Sequence, residues 1–294
     1  MTDERLKPPG TLDASPVVFI DGRPAELIEV LDRGLQYGDG LFETVLIQDG
    51  RPCQWRRHLD RLYAGAQRLG IPLPAADDLG REVRALVAGL DSAVLKILVT
   101  RGRGGRGYRP PAAPEPHRLL LVYPLASGVD RFREEGIRAR YCRTPASLNP
   151  ALAGMKHLNR LDSVLARREW DGLEAENGTI EEGLMLDPSG FLVGGTMTNA
   201  FLWDGRALRT PPVDRAGIAG TRRALLLERA ETAGIPCRVE PLGPSEIERS
   251  QGLLLTNTLV GVWPVRELDG HSYSLDGLPW TFLREFWSAA RRPE

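Results

Sequence analysis

Lysine is rare in this chain. Lys7, Lys96 and Lys156 are its only lysines among 38 basic side chains, and Lys156 stands in the stretch GMKHLNR, residues 154–160. Arginine serves equally well as a surface charge, but only an amine can lose its proton or form a covalent imine. Lys156 follows the turn-rich NPALAG and opens the run HLNRLDSVLARREW, in which Leu158, Leu161, Val164 and Leu165 fall on one helical face. Apolar packing behind an amine disfavours its charged form and makes it nucleophilic. A lysine snorkelling at a helix start is the plain alternative, and these residues alone leave both readings open.

Three further stretches could hold anions. Gly220-Thr221-Arg222 opens the helical run TRRALLLERAETAG, with Thr221 as N-cap and Gly234 as C-cap. Free N–H groups at such a helix start suit a phosphate. LLLTNTLVGVWP ends a strand in Thr256-Asn257-Thr258, which can cradle a phosphate or merely turn the chain. TRGRGGRGYRP, residues 100–110, sets arginines and glycines in one loop: a mobile or close-approaching backbone with carboxylate-binding forks. Pro110 and Pro111 stop it from opening a helix, so it is no dinucleotide fingerprint. A Gly/Arg nucleic-acid-binding segment is its rival. Asp39 in QYGDGLFET and His58 in HLDRL are weak signals alone, each more often structural.

The elements that must position these groups are legible as hairpins and helices. VVFIDGRPAELI, TVLIQDGRPC, LMLDPSGFLV and AFLWDGRALR each read as two short strands joined at Asp-Gly or Ser-Gly. AVLKILVT (93–100) and HRLLLVYPL (117–125) read as buried strands. HLDRLYAGAQRLG, closed by Gly70 and Pro72, and REVRALVAGL carry helical periodicity. Hairpins outnumber βαβ crossovers, which predicts an α/β fold of the α+β kind with mixed sheets, not a doubly wound parallel sheet. A chain of 294 residues is most simply two domains. The expected division is a smaller domain over 1–124, a linker over 125–130 within PLASGVD, and a larger domain over 131–294 carrying Lys156.

Bulk composition excludes several classes. With 42% hydrophobic and 26% charged residues and a net charge of −1, no global basic field points to nucleic acid or an anionic membrane. Cys53, Cys142 and Cys237 are odd in number and far apart, without CxxC spacing, which argues against a disulfide framework or a zinc site. MTDERLKPPG lacks the apolar core of a signal peptide, and no apolar run approaches the roughly 20 residues that span a bilayer. A reduced, cytoplasmic setting is expected.

Taken together, the segments resemble the fold-type IV pyridoxal-phosphate enzymes, a two-domain family of branched-chain and D-amino-acid aminotransferases and 4-amino-4-deoxychorismate lyases. The matches are DRGLQYGDGLFET (32–44), HLDRL (58–62), the lysine segment, GTMTNAFL (195–202), GIAGTRR (217–223) and TNT (256–258), in family order over nearly the whole chain. Two segments, RGRGGRGY (101–108) and NPALAGMKHLNRLDSVLA (149–166), resemble the lyases most closely.

The resemblance implies pyridoxal 5'-phosphate as cofactor, with Lys156 as Schiff-base lysine and catalytic base. It implies Arg61 as a phosphate-binding arginine, with Thr221 and Arg222 (through backbone amides), Asn257 and Thr258 completing the phosphate cup. Arg106 and Tyr108 match loop positions that face substrate carboxylates. The implied reaction eliminates pyruvate from 4-amino-4-deoxychorismate to leave 4-aminobenzoate for folate synthesis, in a homodimer. An aminotransferase of the same fold is the runner-up, and a catalytically silent binding protein is the reading from another class. One departure stands out. The family's acid in EGxxSN, on the pyridine nitrogen, is Gly194 in VGGTMTN. A weaker electron sink suits elimination better than amino transfer; an acid or water from elsewhere beside Gly194 is the alternative.

Overall fold

The computed structural model describes residues 16–170 and 179–294. The opening segment, which holds Lys7 and MTDERLKPPG, lies outside the described residues. Two compact units divide the chain: Met1–Ala126 with Met155–Asn159 and Arg291–Glu294, and Ser127–Gly154 with Arg160–Ala290.

The first unit is built on β1 (Val17–Ile20), β2 (Arg23–Pro24), β3 (Gly40–Gln48), β4 (Arg51–Pro52), β5 (Ser92–Thr100) and β6 (His117–Pro124). They run in the order β2-β1-β6-β5-β3-β4 with antiparallel pairing throughout. The Asp-Gly hairpins form as expected. Asp21 and Gly22 have φ of 51° and 77°, Asp49 and Gly50 of 50° and 68°. Both central residues are thus left-handed, the geometry whose twist matches the flanking strands.

Three helices accompany this sheet. α1 (Arg33–Tyr37) is too short to show helical periodicity in the sequence; Asp32 caps it by accepting from Leu35 N–H, and Gly38 ends it at φ 64°. α2 (Trp55–Leu69) buries Trp55, His58, Leu62, Gly65 and Ala66 along one face and stops at Gly70, φ 64°. α3 (Ala76–Val87) begins earlier than REVRALVAGL indicates and buries Leu79, Val83, Leu86 and Val87.

The expectation of one continuous domain over 131–294 carrying Lys156 needs correction. Residues 155–159 belong to the first unit because they run as an edge segment along β3: Phe42 N–H donates to Lys156 O (2.9 Å) and Leu158 N–H to Gly40 O (3.0 Å). The C-terminus joins the same unit through Glu294 N–H, which donates to Pro52 O (3.0 Å). Helix formation after Lys156 is likewise shorter than the periodicity predicts. α5 (Leu161–Arg167) starts beyond Leu158, and its supposed inward face is open: Leu161 is 76% exposed, Val164 and Leu165 51% each.

The second unit carries β7 (Ile137–Tyr141), β8 (Glu182–Leu186), β9 (Leu192–Gly195), β10 (Asn199–Trp203), β11 (Leu208–Thr210), β12 (Cys237–Val239), β13 (Gly252–Asn257), β14 (Gly261–Leu268) and β15 (His271–Ser272). The order is β12-β11-β10-β13-β14-β7-β8-β9, with β15 on β14. Parallel pairs (β11·β12, β7·β14, β7·β8) mix with antiparallel ones, as the hairpin-rich sequence predicts.

This sheet is buried on both faces, so its strands read as apolar runs. Leu202, Leu253, Leu255 and Val265 join one core with Leu242 and Ile247, the latter from α7 (Pro244–Arg249). The alternate residues Phe201, Leu254 and Val262 join the other, against Leu225 and Leu226 of α6 (Thr221–Thr232) and Leu283 and Phe286 of α8 (Trp280–Ala290). A short α4 (Phe132–Glu135) sets Phe132 edge-on to Trp263.

Candidate active site

Lys156 sits half-buried beside β3. Its Nζ lies 4.1 Å from the centroid of the Phe42 ring, and Lys96 Nζ lies 5.7 Å from the same centroid. The amine thus lies against an aromatic ring that a second lysine also approaches, and not on the apolar face of a helix.

Next to Phe42 on β3, Glu43 points to the opposite face and is buried to 1% exposure. Arg61 meets it side-on, Nε to Oε1 at 2.8 Å and Nη2 to Oε2 at 2.6 Å. His58, three residues before Arg61 and hence on the same helical face, brings Nδ1 to 2.7 Å from Glu43 Oε2. Burial raises the Glu43 pKa, yet the charge and hydrogen bonds of Arg61, with His58, win and hold it at about 2.

The glycine–arginine loop is not loose. Arg101 closes on Asp39 (Nε–Oδ2 2.7 Å, Nη2–Oδ1 3.0 Å) and also donates to the carbonyls of Leu69 and Gly70. Asp39 also accepts from Arg33 Nε at 2.8 Å. Burial works against the charged form, but the two guanidiniums hold the Asp39 carboxyl below its ordinary range. Arg106 and Tyr108, the expected carboxylate-facing pair, turn their side chains to solvent, Tyr108 being 86% exposed.

In the second unit the start of α6 forms a cup. Its N-cap is Gly220 and Thr221 is the first helical residue, one position away from the cap that the sequence predicts. Position 220 has no space for a side chain: a Cβ on Gly220 would stand 1.9 Å from Asn199 Oδ1. Asn199 in turn donates through Nδ2 to Ile218 O (2.9 Å), fixing the loop that leads into the helix. No side chain caps the helix start. Thr221 Oγ1 and Thr258 Oγ1 are 3.3 Å apart, and Arg222, only 1% exposed, donates through Nη2 to Thr258 O (3.3 Å). Asn257 ties two turns together, its Nδ2 donating to Met197 O at 3.4 Å. Its Oδ1 accepts from Leu259 and Val260 N–H (2.9 and 3.0 Å), which folds the turn carrying Thr258.

At Gly194 the backbone leaves no room for a side chain. A Cβ there would lie 2.7 Å from Thr198 O. The turn after β9 is drawn shut by Gly195 N–H donating to Thr198 O (2.8 Å) and is held by the buried carboxylate of Glu182. Glu182 accepts from Gly183 N–H, Thr196 N–H, Thr196 OH, Met197 N–H and Thr198 OH, at 2.5–3.2 Å. Burial raises its pKa against those bonds.

These motifs carry a family signature. A model described as amino-transferase class IV matches residues 40–268. The chain belongs to aminotransferase class IV. It is thus an enzyme of a pyridoxal-phosphate-dependent family, and its cofactor is pyridoxal 5'-phosphate. A crystal structure of 4-amino-4-deoxychorismate lyase from Pseudomonas aeruginosa is 42% identical, covering 93% of this chain and 98% of that one with a TM-score of 0.85. An aminodeoxychorismate lyase from Vibrio harveyi is 29% identical over 88% of this chain and 93% of its own length. A Methanocaldococcus jannaschii protein assigned to the branched-chain-amino-acid aminotransferases is 34% identical over 86% of each chain.

The class IV cofactor is tested by what its phosphate and aldehyde need. Each unit offers part of the requirement: an amine on an aromatic face in the first, and in the second an uncapped helix start with two hydroxyls and a buried arginine. The residues fit the group. Sequence reasoning missed Glu43, Asn199 and Glu182, which hold Arg61, the loop leading into α6 and the turn beside Gly194 respectively. Glu43 sits inside the quoted DRGLQYGDGLFET, but nothing in the alternation of β3 distinguishes a buried acid from an outward one without its partners on α2. Among the described residues no group of three or more His, Cys, Asp or Glu is placed to hold a metal.

Proposed function

We propose that this class IV enzyme is a 4-amino-4-deoxychorismate lyase, releasing pyruvate and 4-aminobenzoate. The observation that carries this reading is position 194, where the backbone carbonyl of Thr198 excludes any acidic side chain. Bound through Lys156, pyridoxal phosphate supplies an electron-withdrawing ring that acidifies the C–H beside the substrate's amino nitrogen. Without a carboxylate at 194 that ring is a weaker sink. Elimination tolerates this, because the electrons of the broken C–H bond expel the enolpyruvyl oxygen and an aromatic ring forms. Amino transfer has no such outlet.

Once the substrate's amino group has displaced Lys156 from the cofactor, the freed Nζ takes the proton, and the leaving enolpyruvate collects one to become pyruvate. Arg61, Thr221, Arg222, Asn257 and Thr258 hold the cofactor's phosphate, Asn257 by shaping the turn. Arg106 and Tyr108 orient the dicarboxylate substrate, since a misplaced C–H is costly. The segments RGRGGRGY and KHLNR, and the 42% likeness to a lyase structure over nearly both chains, support the assignment. A second reading, amino transfer, rests on the 34% relative for a branched-chain amino acid and on a 24% identical D-alanine aminotransferase for a D-amino acid.

One assay separates the two. Cofactor-loaded protein given 4-amino-4-deoxychorismate is expected to release fluorescent 4-aminobenzoate and an equal amount of pyruvate. Turnover only with 2-oxoglutarate and an amino acid would overturn the lyase reading.

We further propose a homodimer in the cytoplasm. Exposed apolar side chains support the pairing: Leu27 (88%), Val30 (73%) and Leu35 (63%) in the first unit, Leu161 in the second. Light scattering should give twice the 32.4 kDa chain mass. No helix among the described residues is long and apolar enough to cross a membrane.

A further inference from the structure

Arg33 lies directly under the glycine–arginine loop, and its contacts are all to the loop's support or to its backbone. The side chain is 4% exposed. Nη1 donates to Gly107 O at 3.0 Å and Nη2 to Tyr108 O at 3.1 Å, while Nε is held by Asp39 Oδ2 at 2.8 Å. Its guanidinium stacks 4.8 Å above the Tyr37 ring. Tyr37 reaches the same loop: its hydroxyl accepts from Gly107 N–H (3.0 Å), and its ring meets Tyr108 edge-on with centroids 5.6 Å apart.

The main chain around Arg33 adds two more ties. Arg33 N–H donates to Gly102 O (2.9 Å), and Gly104 N–H donates to Leu31 O (3.2 Å). Glycine is required at 104 for this arrangement, because a Cβ there would stand 2.5 Å from Arg33 Cδ. A loop with glycines at 102, 104, 105 and 107 has much backbone freedom to lose. Here that freedom is removed by one planar cation with donors on three nitrogens, a role a lysine's point charge cannot reproduce.

We propose that Arg33 is the positioning residue of the substrate-binding loop. Through the carbonyls of Gly107 and Tyr108 it fixes the backbone that presents Arg106 and Tyr108, with Tyr37 as its second anchor. The proposal rests on the lyase reading for its substrate, but the anchoring itself does not.

The test uses full-length, cofactor-loaded protein. In Arg33→Lys, amide hydrogen exchange over 104–108 should rise at least about tenfold, and KM for 4-amino-4-deoxychorismate about tenfold, with kcat within about twofold. Cofactor affinity and the visible absorbance should match the parent, which a general loss of structure would not allow. In an Arg106→Ala background Arg33→Lys should raise KM by less than it does in the parent, since only Tyr108 is then left to position, and a full tenfold rise there would count against the proposal. Tyr37→Phe, which removes one oxygen atom, should give the same pattern more weakly and serves if Arg33→Lys does not fold.

Unchanged exchange and unchanged KM in both variants would overturn the proposal, as would a cofactor affinity that falls in step with KM. Should the parent enzyme release no 4-aminobenzoate, the reaction assignment fails, while the exchange measurements still decide whether Arg33 anchors the loop.

Discussion

Glu43 and Arg61 form a two-bond pair, Nε–Oε1 at 2.8 Å and Nη2–Oε2 at 2.6 Å, between β3 and α2. Parallel bonds of this kind fix the plane of a guanidinium as well as its place. An arginine proposed to grip a phosphate is therefore oriented by a carboxylate that is itself 1% exposed.

Replacing that carboxylate tests its part in cofactor binding. Glu43→Gln should weaken pyridoxal-phosphate affinity by roughly tenfold or more, because a neutral amide orients Arg61 poorly and leaves its charge without a buried partner. Fluorescence titration of the cofactor-free protein reads this directly. Parent-like affinity in a folded variant would remove Glu43 from any such role.

The same pair sets a pH dependence. The folded-state pKa of Glu43 is about 2, below its ordinary 4.5. A carboxyl lowered in this way contributes stability that is fully present above about pH 4.5 and disappears as pH falls toward 2. The contribution is on the order of a few kcal/mol. Urea midpoints at pH 7, 5, 4 and 3 should drop more steeply in the parent than in Glu43→Gln. Equal slopes would contradict the assignment.

Position 194 cannot be repaired by restoring the acid alone. A Cβ there lies 2.7 Å from Thr198 O, a backbone atom in a turn already closed by Gly195. Gly194→Ala should cost about 1–3 kcal/mol and Gly194→Glu at least as much. Thermal unfolding checks both. A Gly194→Glu protein with parent stability would show that the space is there after all, and faster elimination in it would show that the weak sink limits the reaction and is not tolerated.

Glu182 offers the opposite case, a buried acid with five donors converging on it. Glu182→Ala takes the carboxylate away from two hydroxyls and three N–H groups, of which Thr196 N–H keeps Gly183 O (3.0 Å), and should cost roughly 3 kcal/mol or more. Glu182→Gln should also lose stability, since its NH2 faces donors. Denaturant unfolding of the two variants settles the point, and a Glu182→Ala loss under about 0.5 kcal/mol would refute the clamp.

Much of the architecture is legible in the sequence because its causes are local. Asp21-Gly22 and Asp49-Gly50 turn where two residues need φ above zero, and Gly70 ends α2 for the same reason. Strand and helix periodicity locates β5, β6, α2 and α6. Local pattern fails at Lys156. Heptad-like spacing over 158–165 reads as a buried helical face, but pairing with β3 draws residues 155–159 into extended chain and leaves Leu161, Val164 and Leu165 largely open.

Residue types alone determined the candidate chemistry: a scarce lysine, arginines and glycines in one loop, small polar residues at a helix start, and a glycine where an acid is expected. Tertiary structure alone decided what holds each of them. Glu43 and Arg61 are 18 residues apart, Glu182 and Thr198 are 16, and Arg33 and Tyr108 are 75. A hydrogen bond across such distances depends on strand register and helix placement, which no local spacing encodes. Space is non-local in the same way: only the folded backbone shows that Gly194 and Gly220 are glycines because Thr198 O and Asn199 Oδ1 stand where their side chains would be.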